Sequence, residues 1–469
     1  QGRPNTKAIT LHQKRLLEGY QFLQAHIATQ LENREEEGTD YLKNLFHAIV
    51  TKLNFSFYPI EHESEIGMTF ELMNSRGKDL SSLELLKNYL MYWVYRNVNK
   101  PNEKNDATTL INKSWKAVYT NVAACNGNEN QCLRVAWTLY HSHTPKHWNG
   151  YDGFKSNDVI PLRDFSIRTK GETADFITKF TKGLPLVSRH YAEIIAPSIN
   201  SAIEGEFIWL SKLRNTGNIA NYQPIIVATR IAVFNNKISQ EDYILLLQAL
   251  ELFSYRVFLW EGKRSNTGQS KFYRWADDIF REKYSVRTVR EWILGTINWY
   301  SNENTFRKTV KEVDNWYYWR RLLRYTLYEY ELHLLQTEGK NSKPKLQWND
   351  LTDATIEHIL PQNPKENSEW KKKWAKEDIE KYLHDISNLV LTKDNSHYSN
   401  FEFERKKGVA GTGHCYAHSG IRQERKIANY QDWTIESCQQ RRGELEQWIL
   451  KRWGMDQHWN RPTTFDQED

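Results

Sequence analysis

Apolar residues recur at steps of three and four along most of the first 335 residues, while alternation in twos is scarce. That period is the one an α-helix needs to bury one face, so a mainly helical chain is expected. The clearest run is Trp316, Trp319, Leu323, Leu327, Tyr330 and Leu334, a single apolar stripe. Arg320, Arg321 and Arg324 lie beside it. They read either as solvated arginines flanking a core stripe or as part of a basic, aromatic surface for nucleic acid, and the core stripe is the preferred reading. A polar breaker, Gly339 to Pro344, then interrupts the pattern, and a domain boundary is predicted there. Beyond it Thr355–Leu360 and Leu389–Thr392 form short β-type runs. Ser368–Leu383, carrying Trp370 and Trp374, and Thr434–Trp453 read as helices.

A chain of 469 residues exceeds one ordinary domain. With 18 Trp and 25 Tyr it carries large rigid side chains, which serve core packing more often than base stacking. The net charge of +6 fits a nucleic-acid partner without demanding one. From Asn341 onward acids and bases nearly balance, so any DNA contact in the C-terminal part must be made by local patches. Lys371, Lys372 and Lys373 form one candidate patch and Arg422, Arg425 and Lys426 another; each reads equally well as a solvated face. Four cysteines are too few for a disulfide framework. His414, Cys415, His418 and Cys438 could supply zinc ligands, but no paired C-x-x-C accompanies them, and a structural zinc is disfavoured. No apolar run reads as long enough to span a bilayer, the best being Tyr89–Tyr95. A soluble, reduced, cytoplasmic protein without a membrane partner is expected.

Two stretches carry more information. In Phe70–Leu90, FELMNSRGKDLSSLELLKNYL, Gly77 can end one helix in the left-handed conformation. Ser81 can then cap a second helix, with Glu84 completing a capping box. The set Asn74, Arg76, Gly77, Leu80 and Leu85-Leu86-Lys87-Asn88 resembles the second signature of the N-terminal domain of GmrSD-type restriction endonucleases, modification-dependent type IV systems. The resemblance implies a sensor domain associated with nucleotide hydrolysis. The family's upstream D-G-Q-Q-R signature is not found in this sequence, nor is a G-x-x-x-x-G-K-[ST] loop. An NTP cofactor is therefore unsupported here.

The second stretch opens with Glu357-His358-Ile359-Leu360-Pro361-Gln362. It continues through Ser387-Asn388-Leu389-Val390-Leu391-Thr392, Asp394-Asn395, Ser399-Asn400-Phe401 and Lys406-Lys407 to Tyr416, Ser419, Trp433, Arg441 and Trp453. A lone E-H-x-x-P is weak, but the ordered set resembles the C-terminal, HNH-type (ββα-metal) nuclease domain of the same family. Phosphodiester hydrolysis needs an activated water and a hard cation on the scissile phosphate. The resemblance implies His358 as the base, Glu357 and Asn395 as ligands to Mg²⁺ or Mn²⁺, and Asn388 as a residue bracing the catalytic turn. Asn400 could stand in for Asn395, and Arg405, Lys406 or Lys407 would hold backbone phosphate. On a regular strand Glu357 and His358 point to opposite faces, so the strand must end there for both to share a site.

The expected architecture is mainly α with a small α+β domain. Residues 1–100 are the later part of the sensor domain, 101–340 a helical extension and 341–469 the nuclease. The expected function is metal-dependent cleavage of foreign or modified DNA in bacterial defence; related proteins sense hypermodified cytosine or phosphorothioated backbones. A DNA-binding regulator with an inactive nuclease fold, and an RNase-type abortive-infection effector, are the alternatives. A second copy of the chain or a companion subunit is left open as a partner.

Overall fold

The chain is described by a computed structural model, which covers residues 11–34, 38–54, 59, 69, 81–143, 170–338, 344–393, 395–408 and 414–455. The expected helical dominance holds: among the described residues there are only two short strands, and the remaining regular structure is helical. The chain divides into two compact units.

The first unit takes residues 1–210, 220–243 and 268–286. Its helices follow their local signals. Ser82–Asn97 starts where Ser81 accepts from the Glu84 amide while Glu84 accepts from the Ser81 amide at 2.7 Å, the capping box expected from the sequence. Pro101 opens the next helix, Pro101–Ala124, at a position where its missing N–H costs nothing. Trp115 of that helix is fully buried and donates its indole N–H to the Leu83 carbonyl at 2.9 Å, locking the two helices together.

The second unit is assembled from 211–219, 244–267 and 287–469. It therefore begins well before the breaker at Gly339–Pro344 where the sequence suggested a boundary. Gln240–Trp260 is a continuous helical stretch, long and apolar enough by composition to cross a bilayer, which corrects the reading of Tyr89–Tyr95 as the best such run. Most of its apolar window, 78 %, is buried, as befits a core helix. Its last turns, Ser254–Trp260, widen into a π-helix, with the Glu261 amide bonding back to the Arg256 carbonyl at 3.1 Å. Tyr255 stacks flat on Trp453 with ring centroids 3.6 Å apart, and Arg256 donates to the Trp453 carbonyl at 3.1 Å.

Two predicted helices come out differently. The stripe from Trp316 does not start as one helix: Trp316–Tyr318 is a 3₁₀ turn, and the α-helix is Arg320–Thr337. Leu323, Leu327 and Tyr330 are core, but Trp319 stays 36 % exposed. Ser368–Leu383 breaks into Glu369–Lys373 and Lys376–Tyr382, because Trp374 and Ala375 are extended. The break turns both Trp370 and Trp374 inward, and the Trp374 indole donates to the Trp433 carbonyl at 3.2 Å.

Candidate active site

The site is built on one small antiparallel pair. Strand β1 (Ile356–His358) pairs with β2 (Leu389–Leu391) in the register Ile356 with Leu391, Glu357 with Val390 and His358 with Leu389. Both strands are buried throughout, which is why Leu389-Val390-Leu391 is a continuous apolar run instead of an alternating one. β1 stops at His358, and Asn388 holds the chain that follows. Its side-chain oxygen accepts from the Leu360 amide at 2.7 Å and from the Trp433 indole at 3.2 Å. Its amide nitrogen donates to the carbonyls of Leu360 and Leu383, both at 3.0 Å. That uses both donors and both acceptors of the side chain. Asn388 therefore fixes the turn after β1, the bracing place the sequence reading gave it, and has nothing left for substrate, so it is a positioning residue. Arg441, from the long helix Ile435–Trp453, reinforces the other side by donating to the carbonyls of Ile386, Ser387 and Leu389.

Glu357 and His358 do turn to opposite sides of β1. The Glu357 carboxylate is buried, accepting from the Lys406 ammonium at 2.6 Å and the Tyr416 hydroxyl at 3.2 Å through Oε1. Burial pushes its pKa up to about 7, against the opposing pull of Lys406. The His358 imidazole faces Tyr317, whose ring meets it edge-on at 4.6 Å, and lies 3.4 Å from His384 Nδ1. The Gln362 amide donates toward it at 3.2 Å. Burial, with smaller contributions from His384 and Lys406, lowers its pKa to about 3, so the ring is neutral at pH 7.

Because β1 ends here, both residues still line one open pocket of about 300 Å³. Tyr317, Gln362, Asn395, Ser396, Ser399 and Asn400 complete most of its wall. Asn395 donates its amide N–H to the Ile356 carbonyl at 3.0 Å, which directs its own oxygen elsewhere. Glu357, Asn395 and Asn400 line this pocket, and carboxylate and amide oxygens are the donor types that a hard cation such as Mg²⁺ takes while keeping most of its water. Among the described residues no three His, Cys, Asp or Glu side chains cluster closely enough to hold a metal, which disfavours a zinc-type site.

The basic residues separate. Lys406 is not a phosphate ligand: its ammonium is buried, held by Glu357 and by the carbonyls of His358 and Ile359, both at 3.0 Å. Its role is to compensate the Glu357 charge. Arg405 is exposed and lies over the Phe401 ring, and Lys407 reaches the Gln431 carbonyl at 3.5 Å. Neither lines the pocket. Lys371, Lys372 and Lys373 pair with Glu366, Glu369 and Asp432. Arg422 and Arg425 share Glu338, and Lys426 pairs with Glu444. Cys415 Sγ lies 3.4 Å from His418 Nδ1, whereas Cys438 packs in the core around Trp433 and Ile427, so the zinc set suggested on paper does not assemble. In the sensor motif Asn74, Arg76 and Gly77 lie outside the described residues. Lys87 and Asn88 sit on helix Ser82–Asn97, with Lys87 half-buried.

Three pocket neighbours were not identified from sequence. Gln362 was in plain view within HILPQ, four residues after His358, the spacing that lets it fold back on the ring. Tyr317 and His384 arrive from distant segments and carried no local signal.

Residues 300–448 match the family described as GmrSD restriction endonucleases, C-terminal domain. The matched stretch contains the whole pocket, from Tyr317 to Asn400. That region is thus similar to the C-terminal domain of GmrSD restriction endonucleases, and the likeness is confined to it. The residues of the N-terminal signature lie outside the match. No curated protein matches the chain.

Proposed function

We propose that this chain is a metal-dependent, HNH-type DNA endonuclease that cuts foreign or modified DNA in bacterial defence, with His358 as its general base. The observation that carries the reading is the convergence of Glu357, His358, Asn395 and Asn400 on one pocket at the end of β1, inside the stretch that matches the family. The two strands followed by the short helix Phe403–Lys407, which sends Lys406 back to Glu357, are consistent with a ββα scaffold.

In this mechanism a water held beside the neutral His358 ring gives its proton to a ring nitrogen as its oxygen attacks phosphorus. The P–O bond to the leaving sugar oxygen then breaks, and that oxygen takes a proton from solvent. Gln362, His384 and Tyr317 hold the imidazole in one orientation. An incoming phosphate anion opposes the depression of the His358 pKa and so strengthens the base. Glu357, Asn395 and Asn400 would hold Mg²⁺ or Mn²⁺, which when bound neutralises charge on the scissile phosphate. Lys406 opposes the protonation that burial favours at Glu357 and holds the carboxylate in place.

The test is cleavage of plasmid DNA and of RNA by the intact chain, with Mg²⁺ or Mn²⁺ and with EDTA. DNA cleavage that stops in EDTA is expected, with His358→Ala reducing the rate by about 10²–10⁴. Cleavage undiminished in EDTA would remove the metal, and cleavage of RNA alone would remove the DNA substrate.

A further inference from the structure

The same short turn that brings Tyr317 to His358 also builds a second cleft. Trp316–Tyr318 is the 3₁₀ turn, and Trp319, Arg320, Arg321 and Leu322 line an open cavity of about 530 Å³ with Trp260, Glu261, Gly262 and Lys263. That volume lies in the range of roughly 300–1,000 Å³ typical of small-molecule sites. Its floor is the end of the π-helix Ser254–Trp260, a distortion found frequently at functional sites. Trp319 meets Trp260 edge-on at 5.5 Å while leaving 36 % of its own surface exposed.

Lack of a carboxylate partner sets two cations of this cleft apart from several others in the unit. Arg256, Arg307, Arg422, Arg425, Lys426, Arg442 and Arg452 all have carboxylate partners. Around the cleft Arg320 pairs with Asp353, but among the described residues Lys263 and Arg321 have no acidic partner. Partial burial and the neighbouring Arg324 charge lower the pKa of the Arg321 guanidinium. It lies directly over Gly217, where an added Cβ would overlap the guanidinium. Gly217 also has φ +78°, a conformation glycine adopts without strain. The one carboxylate in the lining, Glu261, is engaged by the Ser301 hydroxyl at 2.9 Å. Two cations without an acidic partner among the described residues line the same cleft as the part-exposed Trp319 indole, and together they complement an anionic chain bearing flat rings.

We infer that this cleft takes an unpaired nucleotide of the DNA strand next to the scissile phosphate, its base stacked on Trp319 and its phosphates held by Lys263 and Arg321. The inference rests on the nuclease reading of the Glu357–His358 pocket. Tyr317 and Trp319 are two residues apart, so at most about 7 Å of backbone separates them. That equals about two base steps at 3.4 Å per step. A duplex cannot enter a cleft of this size, whereas a single splayed base can.

The test compares binding of a short blunt duplex with the same duplex bearing an unpaired flank, using the full chain with His358→Ala to prevent cutting. Lys263→Gln with Arg321→Gln should weaken the flanked duplex by about tenfold or more and leave the blunt one nearly unchanged. The slope of log K against log salt should fall by about 1.4, for two single-strand phosphate contacts at about 0.7 each. Trp319→Leu should abolish the preference for the flank, and Arg321→Lys should restore the salt slope. Thermal melting of each variant checks that it is folded. Equal weakening of both duplexes, or no weakening in folded variants, would overturn the inference while leaving the nuclease assignment intact. Failure of the parent chain to bind either DNA, together with absent cleavage by wild type, would overturn both.

Discussion

Glu424 is buried beside the end of β2, where Thr392 reaches it, and is only 2 % exposed, a setting that costs a charge dearly. Burial pushes its pKa from 4.5 up to about 7, against hydrogen bonds from Ser419, Thr392 and Tyr398. A carboxyl whose pKa rises on folding holds its proton more tightly in the folded state. Its stabilising contribution is complete below the unfolded value of 4.5 and is lost as pH rises through about 7. Glu424→Gln removes the titration with little change of shape. The variant should match wild type near pH 4 and exceed it near pH 8, by up to roughly 3 kcal/mol. Urea unfolding across that range measures it; a difference that does not change with pH would assign the effect to packing. Residue identity was legible where chemistry demands it. Glu357, His358, Asn395 and Asn400 could be selected because an ordered motif carries them. Lys406 was misread because Arg405, Lys406 and Lys407 are consecutive on one short helix, and sequence does not say which of three cations turns inward.

At the scale of elements, the turn after β1 depends on one amide more than on its strand hydrogen bonds. Asn388→Ala strands the Leu360 N–H and the Trp433 indole N–H in the interior, each at about 1–3 kcal/mol. A loss of roughly 3–5 kcal/mol is expected, read as a lowered urea midpoint. Asn388→Asp should not rescue it, because its second oxygen would face the carbonyls of Leu360 and Leu383. A stable Asn388→Ala protein that cannot cut DNA would instead make Asn388 catalytic. The strands, the capping box at Ser81 and the C-terminal helix were legible because their signals are local. The 3₁₀ turn at Trp316 and the break at Trp374 were not, since periodicity continues straight through both. What decides them is where the indoles find room and acceptors, and that is settled by distant chain.

For the whole molecule, nucleotide hydrolysis is the open activity of the first unit. The sequence has no G-x-x-x-x-G-K-[ST] loop, and a phosphate site without converging backbone N–H groups should be weak. The chain is expected to release little or no phosphate from GTP or ATP, with or without DNA, while still cutting DNA; a colorimetric phosphate assay beside the cleavage assay decides it. Robust release would mean that the helices of the first unit carry a catalytic site of their own. The second unit is threaded from three separate stretches, 211–219, 244–267 and 287–469. Trp453 near its end depends on partners from the middle stretch: Tyr255 beneath its ring, Arg256 on its carbonyl, and Glu251 accepting its indole N–H at 3.1 Å. A fragment starting where the family match starts would keep the Tyr325 and Trp448 contacts of that ring but lose its flat stack on Tyr255, its indole acceptor and the donor to its carbonyl. The stretch that carries the pocket is therefore not self-contained: part of what seats its last helix is supplied by a segment of chain about two hundred residues upstream.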